Sequence, residues 1–272
     1  MKEFLRQQFE QKESTLYKTN LIREYLQARI LQVLQEQGVF MDWAFLGGTA
    51  LRFLYSLPRY SEDLDFSLMD TSKPCEFEKV LRKVKTVFEN ENYTVSVKVS
   101  REKTVRSAFI KFPGLLFEMG ASPHESEVLS VKFEVDTNPP RGAGTATTIC
   151  RRFVTVNVNH YDKASLLAGK LHAVLSRQYT KGRDLYDLVW YLADRTWPAP
   201  NLNFLNAALV QTEWGGVALS TGTWCEVVAA RINELHWERV RDDLMPFLER
   251  QEELALVTKE NCIKLLEQRR NG

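Results

Sequence analysis

The chain lacks the signatures of several common protein classes. Its four cysteines (Cys75, Cys150, Cys225 and Cys262) form no CxxC pair, so we predict neither a zinc knuckle nor a disulfide framework. No HExxH, GxSxG or Walker sequence occurs, which argues against a zinc protease, a serine hydrolase and a P-loop NTPase. The four histidines show no metal-ligand spacing. Any catalytic chemistry must therefore come from other residues.

Charge and hydropathy exclude further classes. The 36 basic and 35 acidic residues leave a net charge of +1, so contact with a polyanion would have to come from a local patch. No run approaches the roughly 18 apolar residues of a membrane span, and residues 1–6 lack the apolar run of a signal peptide. A hydrophobic content of 44% is typical of a folded globular chain. We expect a cytoplasmic protein without membrane contact.

The periodicity of apolar residues predicts an α+β fold. Helical spacing predicts helices over 21–34, 49–55 and 77–88, and alternation or short apolar runs predict strands over 43–46, 63–68, 93–99, 104–112, 115–119, 128–136 and 150–157. A loop is predicted over 139–144. After Asp162 the pattern is helical, with helices over 166–175 and 185–192 and no convincing strand. We therefore predict an α/β domain over residues 1–160 and an α-helical domain over 161–272.

A glycine turn stands between the first predicted strand and the helix that follows it. Gly47, Gly48 and Thr49 occupy this junction. Glycine lets the backbone approach a phosphate closely, and the start of a helix offers free N–H groups to an anion. The same dipeptide is common in ordinary turns, so this motif gains weight only from its neighbours.

Two aspartates follow on the second predicted strand. Asp63 and Asp65 are two residues apart, so their side chains share one face while Leu64 points to the other. Adjacent carboxylates repel each other unless they share a cation, and their hard oxygen ligands suit Mg²⁺ or Mn²⁺. Arg59 and Ser61, just upstream, offer a cation and a hydroxyl for phosphates. The alternative interpretation is a solvated strand face.

A third carboxylate is expected on a neighbouring strand. In the segment 131–136, Lys132, Glu134 and Asp136 share one face. Either Glu134 or Asp136 could complete a three-carboxylate metal site, and a polar outer sheet face explains the pattern equally well.

A last group of charged residues lies in the helical region. Lys170 is close to the apolar stripe of its helix, where an ammonium needs an anion to meet. Asp184 and Asp187 share a helix face, and Arg183 with Asp184 could simply cap that helix. A local basic bias that could steer a polyanion comprises Arg151, Arg152, Lys163, Lys170, Arg177, Lys181 and Arg183.

These motifs together resemble a known family. Residues 47–52 and 59–66 resemble the first motif of the AbiEii/AbiGii toxin-like nucleotidyltransferases, within the DNA polymerase β-like superfamily. Residues 132–136 resemble the strand with the third acidic residue, and residues 170–173 and 183–188 resemble the later lysine and aspartate motifs. The resemblance covers about residues 40–195 in order and leaves the tail beyond about 200 unmatched.

The resemblance implies a polymerase β-like nucleotidyltransferase core, with a mixed sheet flanked by helices, followed by a helical C-terminal domain. It also implies the toxin of a bacterial toxin–antitoxin or phage-defence system, with a possible cognate antitoxin. The expected activity is Mg²⁺-dependent (or Mn²⁺-dependent) transfer of a nucleoside monophosphate from an NTP to an RNA acceptor, with tRNA expected. Transfer to a small molecule or a protein side chain, and a non-catalytic binding module, are the alternatives.

Each candidate residue has an expected role. The expected metal ligands are Asp63, Asp65 and Glu134. The expected catalytic residues are Asp63, Asp65, Glu134, Asp136, Lys170 and Asp184, with Glu134 or Asp136 positioning the acceptor hydroxyl. The groups expected at the nucleotide are Gly47, Gly48, Thr49, Arg59, Ser61, Lys170, Arg183 and Asp187. Asp184 is expected to orient Lys170 or Arg183, or to contact the nucleotide.

Overall fold

The computed structural model describes residues 2–9, 14–100 and 104–271, which excludes Met1 of the amino-terminal run considered above. The chain divides into two compact units. The first comprises Met1–Leu54, Tyr60–Asn138 and Thr147–His160. The second comprises Tyr55–Arg59, Pro139–Ala146 and Tyr161–Gly272, so two short stretches of earlier sequence belong with the helical region.

The helices and strands follow one another in this order: α1 (Lys2–Gln7), α2 (Thr15–Glu36), β1 (Trp43–Leu46), α3 (Gly47–Tyr55), β2 (Asp63–Leu68), α4 (Phe77–Asn90), β3 (Ser96–Ser100), β4 (Val105–Pro113), α5 (Leu115–Glu118), β5 (Val128–Asp136), β6 (Thr145–Arg152), β7 (Val154–Tyr161), α6 (Lys163–Ser176), α7 (Gly182–Ala193), α8 (Leu202–Gln211), α9 (Trp224–Asn233), α10 (Trp237–Leu244) and α11 (Lys259–Arg270). Short 3₁₀ helices occur at Val39–Met41, Met245–Phe247 and Gln251–Leu256.

The strands of the described residues form one mixed sheet in the order β3-β4-β5-β2-β1-β7-β6. Strand β2 pairs parallel with β5 and antiparallel with β1, whereas β4 pairs antiparallel with both β3 and β5. Strand β1 also pairs parallel with β7. The predicted mixed sheet, followed by a helical region, is confirmed.

Aromatic side chains form the core on one face of this sheet. The Phe66 ring of β2 lies 5.2 Å from that of Phe45 and 5.1 Å from that of Phe133, measured between ring centroids. Phe77 of α4 contacts Phe133 at 5.8 Å, and α2 also contacts β5. Because alternate residues point to opposite faces, the polar residues between these aromatics lie on the other face.

One predicted strand is wrong. Residues 115–119 were expected to be extended, but Leu115–Glu118 form the short helix α5. Gly114, at a φ of 71°, redirects the chain immediately before it. An apolar run of three residues is too short for its periodicity to distinguish a strand from one helical turn.

The predicted single strand over 150–157 is also wrong. This stretch contains the end of β6 and the start of β7, and Phe153 between them has a φ of 59°. Phenylalanine rarely adopts the left-handed conformation and is no turn signal, so the sequence did not indicate the break.

The second unit is built from helices α6 to α11, as the pattern after Asp162 predicts. The Asp162 carboxylate accepts a hydrogen bond of 2.7 Å from the Ser165 amide and so caps the start of α6. Helix α7 contacts α6, α10 and α11. At Gly182 a Cβ atom would overlap the Val240 carbonyl, so α7 and α10 can approach this closely only with glycine there. In the described chain, no helix is long and apolar enough to cross a membrane.

Candidate active site

The glycine turn of the first unit packs directly on strand β2. Strand β1 ends at Leu46 and α3 begins at Gly47, with a φ of 81°. A Cβ atom on Gly47 would overlap Oδ2 of Asp65, so this carboxylate lies against the backbone at the start of α3. The fully buried Thr49 donates its hydroxyl hydrogen bond to the carbonyl of Asp63. The turn and the strand therefore hold each other in place, with an anion at a helix N-terminus.

Strands β2 and β5 align their acidic residues in register. Asp63 lies opposite Lys132, Asp65 opposite Glu134, and Ser67 opposite Asp136. Paired residues of neighbouring strands point to the same face, and this is the face away from the aromatic core. We call Asp63, Asp65 and Glu134 the acidic triad.

The acidic triad attracts a cation from β5, the strand that bears Glu134. The Lys132 ammonium lies 2.8 Å from Oε2 of Glu134. Burial lowers the pKa of Lys132, but Glu134, Asp63 and Asp65 outweigh that effect and raise it above its ordinary value. The three carboxylates therefore create a negative potential at this point of the sheet.

The register separates the two candidates for the third carboxylate. Glu134 is the direct partner of Asp65, whereas Asp136 is the partner of Ser67, one step further along β5. Asp136 accepts a hydrogen bond of 2.9 Å from the Asn138 amide, and burial raises the pKa of its carboxyl group. Burial thus disfavours its charged form when no cation is nearby.

The arrangement of these carboxylates bears on metal binding. Within residues 2–9, 14–100 and 104–271, no three His, Cys, Asp or Glu side chains are grouped closely enough to form a metal site as they stand. The donor chemistry fits a hard divalent cation nevertheless, because the triad supplies carboxylate oxygens from two adjacent strands and already attracts an ammonium.

The segment before β2 is held by polar contacts with α2 and α3. Gln27 donates a hydrogen bond of 3.0 Å to the carbonyl of Ser61, a predicted nucleotide-binding residue. The buried pair of Glu24 and Arg52 has two contacts of 2.9 Å, and Arg52 stacks 4.4 Å from the ring of Tyr60. These contacts fix the path of the chain into the strand that bears Asp63.

In the second unit, the predicted lysine and aspartate motifs form a buried ionic network. Lys170 of α6 lies 3.1 Å from Oδ1 of Asp184 and 2.7 Å from Oδ2 of Asp187. Arg59 makes two hydrogen bonds of 2.6 Å to Asp187, and both side chains are almost fully buried. We call Arg59, Lys170, Asp184 and Asp187 the ionic network.

Opposite charges keep this network ionised. Burial lowers the pKa of Lys170, but Asp187 and Asp184 outweigh that effect and raise it. Burial raises the pKa of Asp187, but Arg59 and Lys170 outweigh that effect and lower it. The Lys170 side chain is 14% exposed, whereas that of Asp187 is fully buried. Of these two residues, Lys170 is therefore the one that can still contact a ligand.

Several cations of the predicted basic cluster are engaged within the second unit. Arg177 pairs with Asp184. Arg183, a predicted nucleotide-binding residue, lies 3.9 Å over the ring of Phe247, and Lys163 lies 4.2 Å over that of Trp197. Most residues of the predicted basic cluster therefore contact other residues of the protein itself.

Sequence reasoning missed two contributors. The alternation of its strand places Lys132 on the acidic face but gives it no role in the site. The sequence indicates Arg177 only as a member of the basic cluster, whereas in the structure it binds Asp184. Alternation could have flagged the first, but no local pattern indicates the second.

Comparison with known families gives one extensive match. The family model described as "Nucleotidyl transferase AbiEii toxin, Type IV TA system" matches residues 29–257. That span includes the acidic triad and the ionic network. A search of curated proteins found no significant match.

Solved structures share the fold. MenT4, described as the nucleotidyltransferase toxin Rv2826c from Mycobacterium tuberculosis H37Rv, is similar with a TM-score of 0.61 at 15% identity, covering 99% of this chain and 88% of that chain. JHP933 from Helicobacter pylori is similar with a TM-score of 0.55 at 15% identity, covering 93% and 92% respectively. At such low identity these similarities concern the fold.

Proposed function

Because the chain belongs to the AbiEii nucleotidyltransferase toxin family of type IV toxin–antitoxin systems, we propose that it transfers a nucleoside monophosphate from an NTP to an RNA acceptor. Family membership makes it a nucleotidyltransferase toxin with an antitoxin counterpart. The proposal adds the RNA acceptor, with tRNA as the first candidate, the divalent metal and the residues that act.

The register of β2 with β5, beside the glycine turn, is the observation that carries the proposal. It pairs Asp65 with Glu134 on a polar face, and Gly47 leaves room for the Asp65 carboxylate. A nucleotidyl transfer needs a cluster of negative charge for a metal–triphosphate complex and a group near the acceptor hydroxyl. An ordinary solvated strand face requires neither a glycine at the contact nor a buried threonine bound to the strand.

The residues of the first unit then have distinct roles. Asp63, Asp65 and Glu134 would hold Mg²⁺, which supplies charge neutralisation at the triphosphate when bound. The backbone amides of Gly47, Gly48 and Thr49, at the start of α3, would offer N–H donors to the phosphates. Glu134 positions the acceptor hydroxyl and accepts its proton, while the hydroxyl oxygen bonds to the α-phosphorus and the α–β phosphoanhydride bond breaks to release pyrophosphate. The buried Thr49 side chain keeps the turn attached to β2.

Roles in the second unit follow from burial. We propose that Lys170 contacts a nucleotide phosphate through its exposed fraction, while Asp184 and Asp187 position its ammonium. Arg59 is buried and bound to Asp187, so we assign it to positioning as well. Ser61 and Arg183 remain proposed nucleotide contacts.

The test is label transfer from each α-³²P-NTP to total RNA, with Mg²⁺, with Mn²⁺ and with EDTA. Wild-type protein should label RNA with one or more NTPs, and EDTA should abolish the label. Asp63→Asn should reduce transfer by about 100-fold or more, because the neutral amide would hold the charge-neutralising cation poorly. Asp70→Asn is the matched control, since Asp70 is an exposed aspartate just beyond the same strand.

The outcomes separate the acceptors. Label that RNase removes is on RNA, and its distribution on a gel identifies tRNA. Label that resists RNase lies on a protein or a small molecule and would refute the RNA acceptor while leaving nucleotidyl transfer intact. Unchanged transfer by Asp63→Asn would refute the proposed triad.

A further inference from the structure

The polar face of the sheet continues beyond the acidic triad onto β4 and β3. The register aligns Asp63 with Lys132, Lys132 with Phe109, and Phe109 with Lys98, so one row of side chains crosses four strands. Lys111 lies two residues from Phe109 on β4 and therefore on the same face. We call Lys98, Phe109 and Lys111 the β3–β4 platform.

Phe109 presents an aromatic ring to solvent at the centre of this platform. Its neighbours Ala108 and Ile110 are completely buried on the core face, whereas Phe109 is 38% exposed. Among the described residues its ring contacts no other aromatic ring, unlike the rings of the core. A flat apolar surface is thus available to a planar partner.

The two lysines beside Phe109 carry positive charge that no acidic residue in the described ranges 14–100 and 104–271 neutralises through an ion pair. Lys98 is exposed and Lys111 is half-buried. Neither forms an ion pair with any residue in the described ranges 14–100 and 104–271, whereas Lys73, Lys79 and Lys85 do. Positive charge next to an exposed ring suits a partner that combines planar groups with negative charge.

The position of the platform sets where that partner leads. Neighbouring strands are about 4.8 Å apart, so Phe109 on β4 is about 10 Å from Asp63 on β2, with Lys132 of β5 between them. Glu134 lies two residues further along β5, on the same face. A strand of nucleic acid lying on the platform would therefore end beside Glu134, the residue to which we assign the acceptor hydroxyl.

We propose that the β3–β4 platform binds the single-stranded 3′ end of the RNA acceptor, with one base stacked on Phe109 and adjacent phosphates at Lys98 and Lys111. This inference rests on the proposed function and specifies how its acceptor is held. Stacking on one aromatic ring requires an unstacked base, so the platform selects single-stranded ends over duplex. Every base has a planar face, so the platform itself reads little sequence.

The ring is tested with a single-stranded RNA that carries 2-aminopurine near its free 3′ hydroxyl. Wild-type protein should quench the probe through stacking. Phe109→Ala should abolish the quenching and weaken binding by about tenfold, the size expected for one base–aromatic contact. Phe109→Trp should restore both. Phe117→Ala is the matched control, because Phe117 is a 50% exposed phenylalanine on α5 of the same unit.

The lysines are tested through the salt dependence of binding. Lys98→Gln combined with Lys111→Gln should reduce the slope of log K against log salt by about 1.4, the value for two phosphate contacts on a single strand. Lys83→Gln is the control, since this exposed lysine lies on α4, which packs on the opposite face of the sheet. Thermal melting of each variant reports whether it folds. If Phe109→Ala does not fold, the double lysine variant still tests the platform.

Steady-state kinetics separate this inference from the proposed function. Phe109→Ala should raise KM for RNA and leave KM for NTP unchanged. A rise in KM for NTP alone would show that the ring stacks on the nucleotide and would overturn the inference, as would unchanged RNA binding by the ring and lysine variants. If wild-type protein binds the probe through the platform but labels no RNA, the proposed acceptor fails while the platform stands. If wild-type protein does not bind the probe, the platform fails.

Discussion

Gly47 meets two structural requirements at one residue. Its φ of 81° falls in the left-handed region, and the space where a Cβ atom would stand is taken by the Asp65 carboxylate. Gly120, by contrast, meets only the first of these requirements. Gly120 has a φ of 67°, yet a Cβ atom there would contact nothing within 4 Å.

This contrast gives a prediction for two alanine substitutions. Gly120→Ala should cost about 1 kcal/mol for the backbone alone and leave nucleotidyl transfer intact. Gly47→Ala should cost more and reduce transfer by about 100-fold, because the new methyl group displaces Asp65. Thermal melting and the labelling assay measure the two effects. Equal activity of both variants would show that the position of Asp65 does not matter for transfer.

A second prediction at the residue scale concerns Lys132. Its ammonium occupies the negative potential of the acidic triad, so it competes with any divalent cation there. Lys132→Met should tighten Mn²⁺ binding, measured by isothermal titration calorimetry, by about tenfold. Lys83→Met should leave it unchanged. Weaker binding in Lys132→Met would instead indicate that the lysine helps to assemble the site.

At the scale of elements, helices α6 and α7 are joined by buried charges. Asp187 is the centre of the ionic network because it binds both Arg59 and Lys170. Removing its charge leaves two buried cations without that partner. Asp187→Asn should therefore lower the free energy of unfolding by about 3–5 kcal/mol. Urea denaturation measures this change, with Asp194→Asn as an exposed control at the end of the same helix.

The same network predicts a pH profile for stability. The pKa of Asp187 is lowered from 3.8 in the folded chain, so its contribution is present above that value and is lost as the pH falls through the folded pKa. The pKa of Lys170 is raised from 10.5, so its contribution is present below that value and is lost as the pH rises through the folded pKa. Asp187→Asn should flatten the acid limb of wild-type stability, and an unchanged acid limb would contradict this assignment.

The elements also show how far sequence reasoning extends. Alternation and helical spacing predicted β2, β5, α4 and α7 because each buries one regular face. The pairing of Asp65 with Glu134 and not with Asp136 depends on the register of two strands that are distant in sequence, and no local pattern fixes a register between separate strands. The partners of Asp184 and Asp187 were likewise invisible, because they depend on tertiary packing.

At the scale of the whole molecule, family membership predicts an effect on cells. Expression of the wild-type chain without its antitoxin should arrest bacterial growth, and Asp63→Asn should relieve the arrest at equal protein level. Asp70→Asn should remain as toxic as the wild type. Immunoblotting and growth curves make this comparison, and persistent arrest by Asp63→Asn would separate toxicity from nucleotidyl transfer.

The bond between Arg59 and Asp187 spans 128 positions of sequence. During translation the guanidinium leaves the ribosome long before its carboxylate is synthesised, so it must stay hydrated until α7 has emerged. Expression of residues 161–272 alone would omit Arg59, and expression of residues 1–160 alone would leave Arg59 without Asp187. Coexpressed halves cut at 160 should therefore recover solubility only when they associate, whatever the order in which they are made.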